Sequence, residues 1–176
     1  FDMVIQAGQV RAKYGDQLPD MEYHEVVSKI LDLLKNGGYW FETFEHEPVR
    51  TSEEAGRVRT GYSLAEGAKA MIVRVKKSTA DKSFAMLVLP GDRRFDFAKV
   101  KQLFEARDIR FATEEEVIKL TGGVLPGGVP PFGNLFGLPV VAYPLLFENE
   151  KIVFNAGDRR FSVAMKSADY QKIVGP

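Results

Sequence analysis

The sequence predicts an α/β domain built on a mixed, partly closed, barrel-like β-sheet surrounded by helices. Three observations carry this expectation. Apolar strand patterns occur in hairpin-linked pairs, helical periodicities are interspersed among them, and strict strand-helix-strand alternation is lacking. At 176 residues, 45% hydrophobic and 27% charged, the chain can bury one sizeable core but not two independent ones. Residues 1–22 show no clear period and are expected to form an irregular arm or linker, which places a single domain at 23–176.

From Tyr23 the elements follow in order. Val26, Val27, Ile30, Leu33 and Leu34 recur at helical spacing, and "NGG" at 36–38 provides a left-handed stop, so 23–35 reads as an amphipathic helix. "YWFETFEH" reads as a strand. Thr51 with Glu54 has the capping-box spacing for a short helix through Arg57, and Ser63 opens another turn. "AKAMIVRVK" and "FAMLVLP" read as two strands joined by a charged hairpin at 76–83. Asp96 caps a helix that carries Phe97, Val100, Leu103 and Phe104 on one face and ends near Arg107. "IRFA" is a short strand. Thr113 and Glu116 form a capping box for a helix through Leu120 that "TGG" ends. Strands at 139–143, 151–155 and 159–165 and a helix at 167–174 complete the pattern.

Lys plus Arg and Asp plus Glu both number 24, so no global field draws the chain toward DNA or a membrane. Any RNA contact then has to come from a local patch. The absence of cysteine excludes disulfides, thiolate metal sites and thiol nucleophiles, and fits a cytoplasmic location. No apolar run approaches the roughly 20 residues that span a bilayer. The start on Phe1 points to a processed product or a piece of something longer.

Between Gly122 and Gly137 lie six glycines and three prolines. That composition is costly to order, and unstructured connectors of this length in compact domains are commonly functional. Glycines let a ligand approach the main chain closely, and successive free N–H groups can hold a carbonyl oxygen or an oxyanion. A plain connector and a ligand-contacting loop are equally compatible with composition alone.

The spacing adds more. Gly127, Pro131 and Gly133 make a Gly-x-x-x-Pro-x-Gly pattern that resembles the YbaK/ProX family of aminoacyl-tRNA deacylases, also found as the editing insertion of bacterial prolyl-tRNA synthetases. "HEPVRTSEEAGRVRTG", "AKAMIVRV", "LPGDRRFDFAKVKQLF" and "FNAGDRRFSVAMKSADY" resemble further family segments in the same order, covering about residues 40–173.

The resemblance implies a trans-editing hydrolase that cleaves the ester joining a wrongly attached small amino acid to tRNA. Such a sieve is needed because one methylene discriminates by only ~1–3 kcal/mol. In the family's pattern water attacks, the ribose hydroxyl of the tRNA assists, and the protein positions and polarises. No cofactor or metal is implied, and the sequence has neither a G-x-S-x-G elbow nor an H-E-x-x-H motif. Carried onto this chain, the catalytic positions are Lys69, which would hold the terminal phosphate or ribose, and the main-chain amides of Gly127, Gly128 and Val129, which would face the ester carbonyl. Pro130 and Pro131 would hold the loop in shape. Phe132, Gly133, His46, Thr51, Asn155 and Gly157 are further substrate-pocket candidates. Asn155, Ala156 and Gly157 stand where some members carry a histidine-proline segment, so no role of that histidine transfers.

Each candidate also has a plain structural reading: a solvated strand-end lysine, a helix cap for Thr51, a surface histidine, a turn at Asn155. Val124, Leu125, Val129, Phe132 and Phe136 would form an apolar wall suited to a side chain such as alanine, with cysteine, serine or threonine open. The doublets Arg93–Arg94 and Arg159–Arg160, with Lys76, Lys77 and Lys82, could meet acceptor-stem phosphates. The expected partners are the aminoacyl-tRNA acceptor end and an aminoacyl-tRNA synthetase. Two alternatives remain at this stage: a non-catalytic tRNA- or synthetase-binding module of the same fold, and a hydrolase of another small ester or amide.

Overall fold

The computed structural model describes residues 4–5 (main chain only), 23–48, 59 and 61–176. Two four-stranded sheets form the frame. The first has the order β1 (Val4–Ile5), β2 (Phe41–Glu45), β8 (Phe161–Lys166), β7 (Lys151–Asp158), all antiparallel. The second has the order β5 (Asp108–Phe111), β3 (Ala68–Lys76), β4 (Lys82–Pro90), β6 (Val140–Ala142), in which β6 runs parallel to β4. The mixed α/β architecture is as expected, but the strands divide into two sheets instead of closing into a barrel. Among the described residues the sheets meet at one isolated parallel bridge, Gly67 to Val153.

Among the described residues four helices surround this frame: α1 (Glu25–Asn36), α2 (Phe97–Leu103), α3 (Glu114–Thr121) and α4 (Ser167–Val174). The main core fills the space between the facing sheets. There Ile152, Phe154, Val163 and Met165 of the first sheet meet Ala68, Ile72, Met86 and Val88 of the second, with Val26, Ile30 and Leu34 of α1. Alternation sends Val73, Val75, Ala85 and Leu87 to the opposite face, where Val100 of α2 covers them. On the outer face of the first sheet Phe44, Val153 and Ala164 form a small apolar floor against Tyr62.

Two expectations need correction. Helix α2 ends at Leu103 because Glu105 takes a left-handed conformation, φ 51°, that closes the turn. Of its four apolar residues only Val100 is buried, while Leu103 is 61% exposed. The arm at 1–22 was expected to be irregular, yet Val4 and Ile5 pair with Phe44 and Thr43 at the edge of β2. The helix expected from Thr51 lies outside the described residues, as does Thr51 itself.

Candidate active site

The glycine and proline segment divides into two halves. Its second half is core: Phe132 is fully buried against Phe154 and Tyr170, at ring distances of 5.3 and 5.5 Å. Tyr170 donates its hydroxyl proton to the Pro131 carbonyl at 2.5 Å, and a Cβ at Gly133 would stand 2.5 Å from Val140 Cγ2. Pro130 and Pro131 are buried as well. Phe132 and Gly133 are therefore anchors of the loop and not a wall for substrate, which corrects the expectation for both. Val124, at 1% exposure, joins the same core.

The first half is presented at the surface. Gly127 is exposed and sits at φ 90°, a conformation that excludes ordinary side chains. The N–H of Gly128 closes a turn onto the Leu125 carbonyl at 3.0 Å, so it is engaged within the loop and unavailable to a ligand. By contrast, the N–H groups of Gly127 and Val129 have no acceptor among the described residues, although Val129 is only 8% exposed. A buried unpaired amide is costly and uncommon.

The strand pair β7–β8 holds this half in place. A register shift between Asn155 and Asp158 bulges β7 at Gly157, φ 116°, where a Cβ would stand 2.0 Å from Val26 Cγ1. Gly157 thus makes room for α1 and turns the hairpin toward the loop. Arg159 then donates from Nε to the Pro126 carbonyl at 2.7 Å, with Nη2 on the same oxygen. Arg160 pairs with Asp158 at 2.9 Å. Burial alone would raise the Asp158 carboxyl, but the bonds from Arg160 overcome that and hold it below the usual range. Between Leu125, Gly128, Arg159 and His24 runs a cleft of about 420 Å³.

On the front of the loop, β2, β8 and β7 set His46, Ser162 and Asn155 side by side. Asn155 Nδ2 donates to the Gly127 carbonyl at 2.6 Å. Its Oδ1 accepts from Arg59 Nη2 at 3.0 Å, and Arg59 Nε donates to Ser162 Oγ at 3.0 Å. His46 Nδ1 faces the Glu47 carbonyl at 2.8 Å and must carry a proton to bond it, so in the neutral ring Nε2 is an acceptor 2.8 Å from Ser162 Oγ, whose one proton goes either to it or to Asn155 Oδ1 at 3.1 Å. Burial, then the charge of Arg59, push the His46 imidazole below its ordinary value against the pull of the Glu47 carbonyl. Burial pushes Arg59 down to about 10.

The sign of the His46 effect is fixed by these contacts. The unfolded chain keeps the ordinary value near 6.5, so below that pH it binds more protons than the folded chain does. This contribution to stability is complete above pH 6.5 and is lost as the pH falls through the lower folded value. Melting temperatures from pH 8 to 5 are expected to fall less steeply for His46→Gln than for the parent chain; parallel curves would exclude His46 as the source.

Lys69 stands apart from that row. Opposite Leu89 in the β3–β4 ladder, it donates from Nζ to the Arg93 carbonyl at 3.2 Å. Gly67, two residues earlier, passes close to Arg59: a Cβ there would stand 3.6 Å from Arg59 Nη1. Lys69 itself makes no hydrogen bond to Arg59, Asn155, Ser162, His46 or the loop among the described residues. The structure therefore links Gly127, Asn155 and His46 through Arg59 and Ser162, leaves Lys69 outside that row, packs Phe132, Gly133 and the Val129 side chain into the core, and sets Gly128 and Gly157 along the cleft. Arg59 and Ser162 are the residues that sequence reasoning missed, and Arg159, read there as a phosphate contact, instead holds the Pro126 carbonyl. Their partners lie 103, 116 and 33 positions away, so no local pattern marks them.

The fold has known counterparts. A solved structure described as a proposed trans-editing enzyme for prolyl-tRNA synthetase superposes with a TM-score of 0.73 at 23% identity, covering 88% of this chain and 94% of that one. Sequence comparison goes further: residues 46–173 match the family model of the aminoacyl-tRNA editing domain. The multifunctional Ser/Thr-tRNA deacylase ProXp-y of Escherichia coli (strain K12) is 35% identical over 149 residues, 84% of this chain and 87% of that protein. The proline–tRNA ligase of a Sulfurihydrogenibium species is 37% identical over 81 residues, which span 46% of this chain and 14% of the ligase. The chain belongs to the aminoacyl-tRNA editing domain family.

Proposed function

We propose that this chain is a trans-editing deacylase that hydrolyses the ester of tRNA mischarged with serine or threonine. Its standing as a hydrolase of the aminoacyl-tRNA deacylase class rests on family membership and on 35% identity over most of both chains to a Ser/Thr-tRNA deacylase. The observation that supports the mechanism is the pair of amides at Gly127 and Val129 that have no acceptor among the described residues, in a loop tied down by Asn155 and Arg159. Water attacks the carbonyl carbon, the carbonyl π electrons move to its oxygen, and the two N–H groups receive that oxyanion. Collapse then breaks the bond to the ribose oxygen, which departs with a proton from the attacking water. The ribose hydroxyl assists by orienting the water. Lys69 takes the terminal phosphate or ribose as a point charge. The row of Asn155, Ser162 and His46 beside the loop favours a hydroxylated side chain over a purely apolar one. The synthetase partner of such an editing chain is the prolyl enzyme, given the ligase relatives.

Deacylation of seryl-, threonyl-, alanyl- and cysteinyl-tRNA by the chain alone tests this reading. Rapid release of serine or threonine supports it, and binding without release of any amino acid would replace it with the tethering-module reading.

Phosphate contacts are narrower than the sequence implies. Arg159 and Arg160 are engaged with Pro126 and Asp158, whereas Arg93 and Arg94 are exposed with no ion pair among the described residues. Affinity for tRNA is expected to fall with salt, with a log–log slope of about 0.7 per single-strand phosphate contacted, and to flatten in Arg93→Ala/Arg94→Ala. A salt-independent affinity would remove the doublet from the interface.

A further inference from the structure

We infer that Arg59 is a positioning residue for the glycine and proline loop, acting through the amide of Asn155. Arg59 is only 7% exposed, and no carboxylate lies within ion-pair distance of it among the described residues. A buried cation is costly to desolvate, and among the described residues this one is met by the neutral oxygens of Asn155 and Ser162 and by no carboxylate. Orientation is what this one provides. An asparagine amide can sit either way round, and Ser162 can donate or accept, so Ser162 cannot choose between the two settings. A guanidinium can only donate. With Arg59 Nη2 3.0 Å away, only Oδ1 of Asn155 can face it, which obliges Nδ2 to face the Gly127 carbonyl at 2.6 Å.

That bond sets the peptide plane joining Gly127 to Gly128. The planes on either side carry the N–H groups of Gly127 and Val129 and hinge on it through the dihedrals of Gly127 and Gly128, so the Asn155 amide restrains where both donors point.

Asn155→Asp separates orientation from plain support. The carboxylate accepts from Arg59 as before, adds a negative charge beside the guanidinium, and has no N–H for the Gly127 carbonyl. The melting temperature is expected to equal or exceed that of the parent chain, while kcat on seryl- or threonyl-tRNA falls about 10- to 100-fold with KM little changed, because misplaced donors weaken the transition state and not the ground state. Hydrogen exchange of the peptide spanning 124–133 should quicken. Arg59→Met should match that loss of kcat and that faster exchange, and Arg59→Lys should recover part of both.

Parent-like kcat and loop exchange in Asn155→Asp would overturn the inference. So would a loss in Arg59→Met that merely tracks a lower melting temperature with loop exchange unchanged. The kinetic arm rests on the deacylase reading, whereas the exchange arm does not. A parent chain that releases no amino acid would defeat that reading and leave the loop to decide this one.

Discussion

Gly127→Val is expected to abolish deacylation while leaving a folded protein. At φ 90° any L side chain is strained, and a β-branched one most of all, at a cost of about 1–3 kcal/mol. The anchors that hold the segment lie elsewhere: Phe132 in the core, the Tyr170 hydroxyl on the Pro131 carbonyl, and Arg159 on the Pro126 carbonyl. The strain is therefore relieved locally by rotating the peptide planes at 126–128. That rotation carries away the donors at Gly127 and Val129 and lengthens the bond from Asn155. Loss of a single oxyanion donor costs ~2.7–4 kcal/mol of barrier, or about 10²- to 10³-fold in kcat, and two are displaced here. The catalytic loss exceeds the stability loss, and single-turnover deacylation beside thermal melting measures both. Parent-like turnover in a folded Gly127→Val chain would take the loop out of the reaction.

Lys69→Ala is expected to lose most turnover through a different route. The ammonium rests on one carbonyl, that of Arg93, at 3.2 Å, an arrangement that a substrate phosphate can displace without disturbing the core. Its removal leaves β3 intact, since Lys69 contributes to the ladder only through its main chain. The melting temperature should shift little. KM for mischarged tRNA should rise along with the fall in kcat, because a charge contact to phosphate is made in the ground state as well as the transition state. Lys69→Arg should keep part of the affinity. Should Lys69→Ala retain the parent rate, the residue is a solvated strand lysine that only steadies the turn at Arg93.

The sequence carried much of the local structure. The capping box at Thr113–Glu116 is present, Ser63 opens a short 3₁₀ turn as expected, and the strand read at 68–76 is Ala68–Lys76. These features depend on neighbours within a few positions, so a single chain displays them. What lay out of reach was tertiary. Phe132 looks the same in sequence whether it lines a pocket or fills a core, and only its packing on Phe154 and Tyr170 decides. Arg59 reads as one more charge in a basic stretch until β7 and β8 bring Asn155 and Ser162 beneath it. Gly157 resembled a pocket glycine, yet its vacant Cβ position belongs to Val26. The division of the Gly/Pro segment into a buried and a presented half follows from the same long-range packing and has no signature in composition.

The most direct test of the account is single-turnover hydrolysis of threonyl- and seryl-tRNA by the parent chain and Gly127→Val, measured side by side with both shown to be folded. Release of the amino acid by the parent chain, and its loss by at least about 100-fold in the variant, is the predicted result. Equal rates in the two proteins, or no release by either, would contradict it.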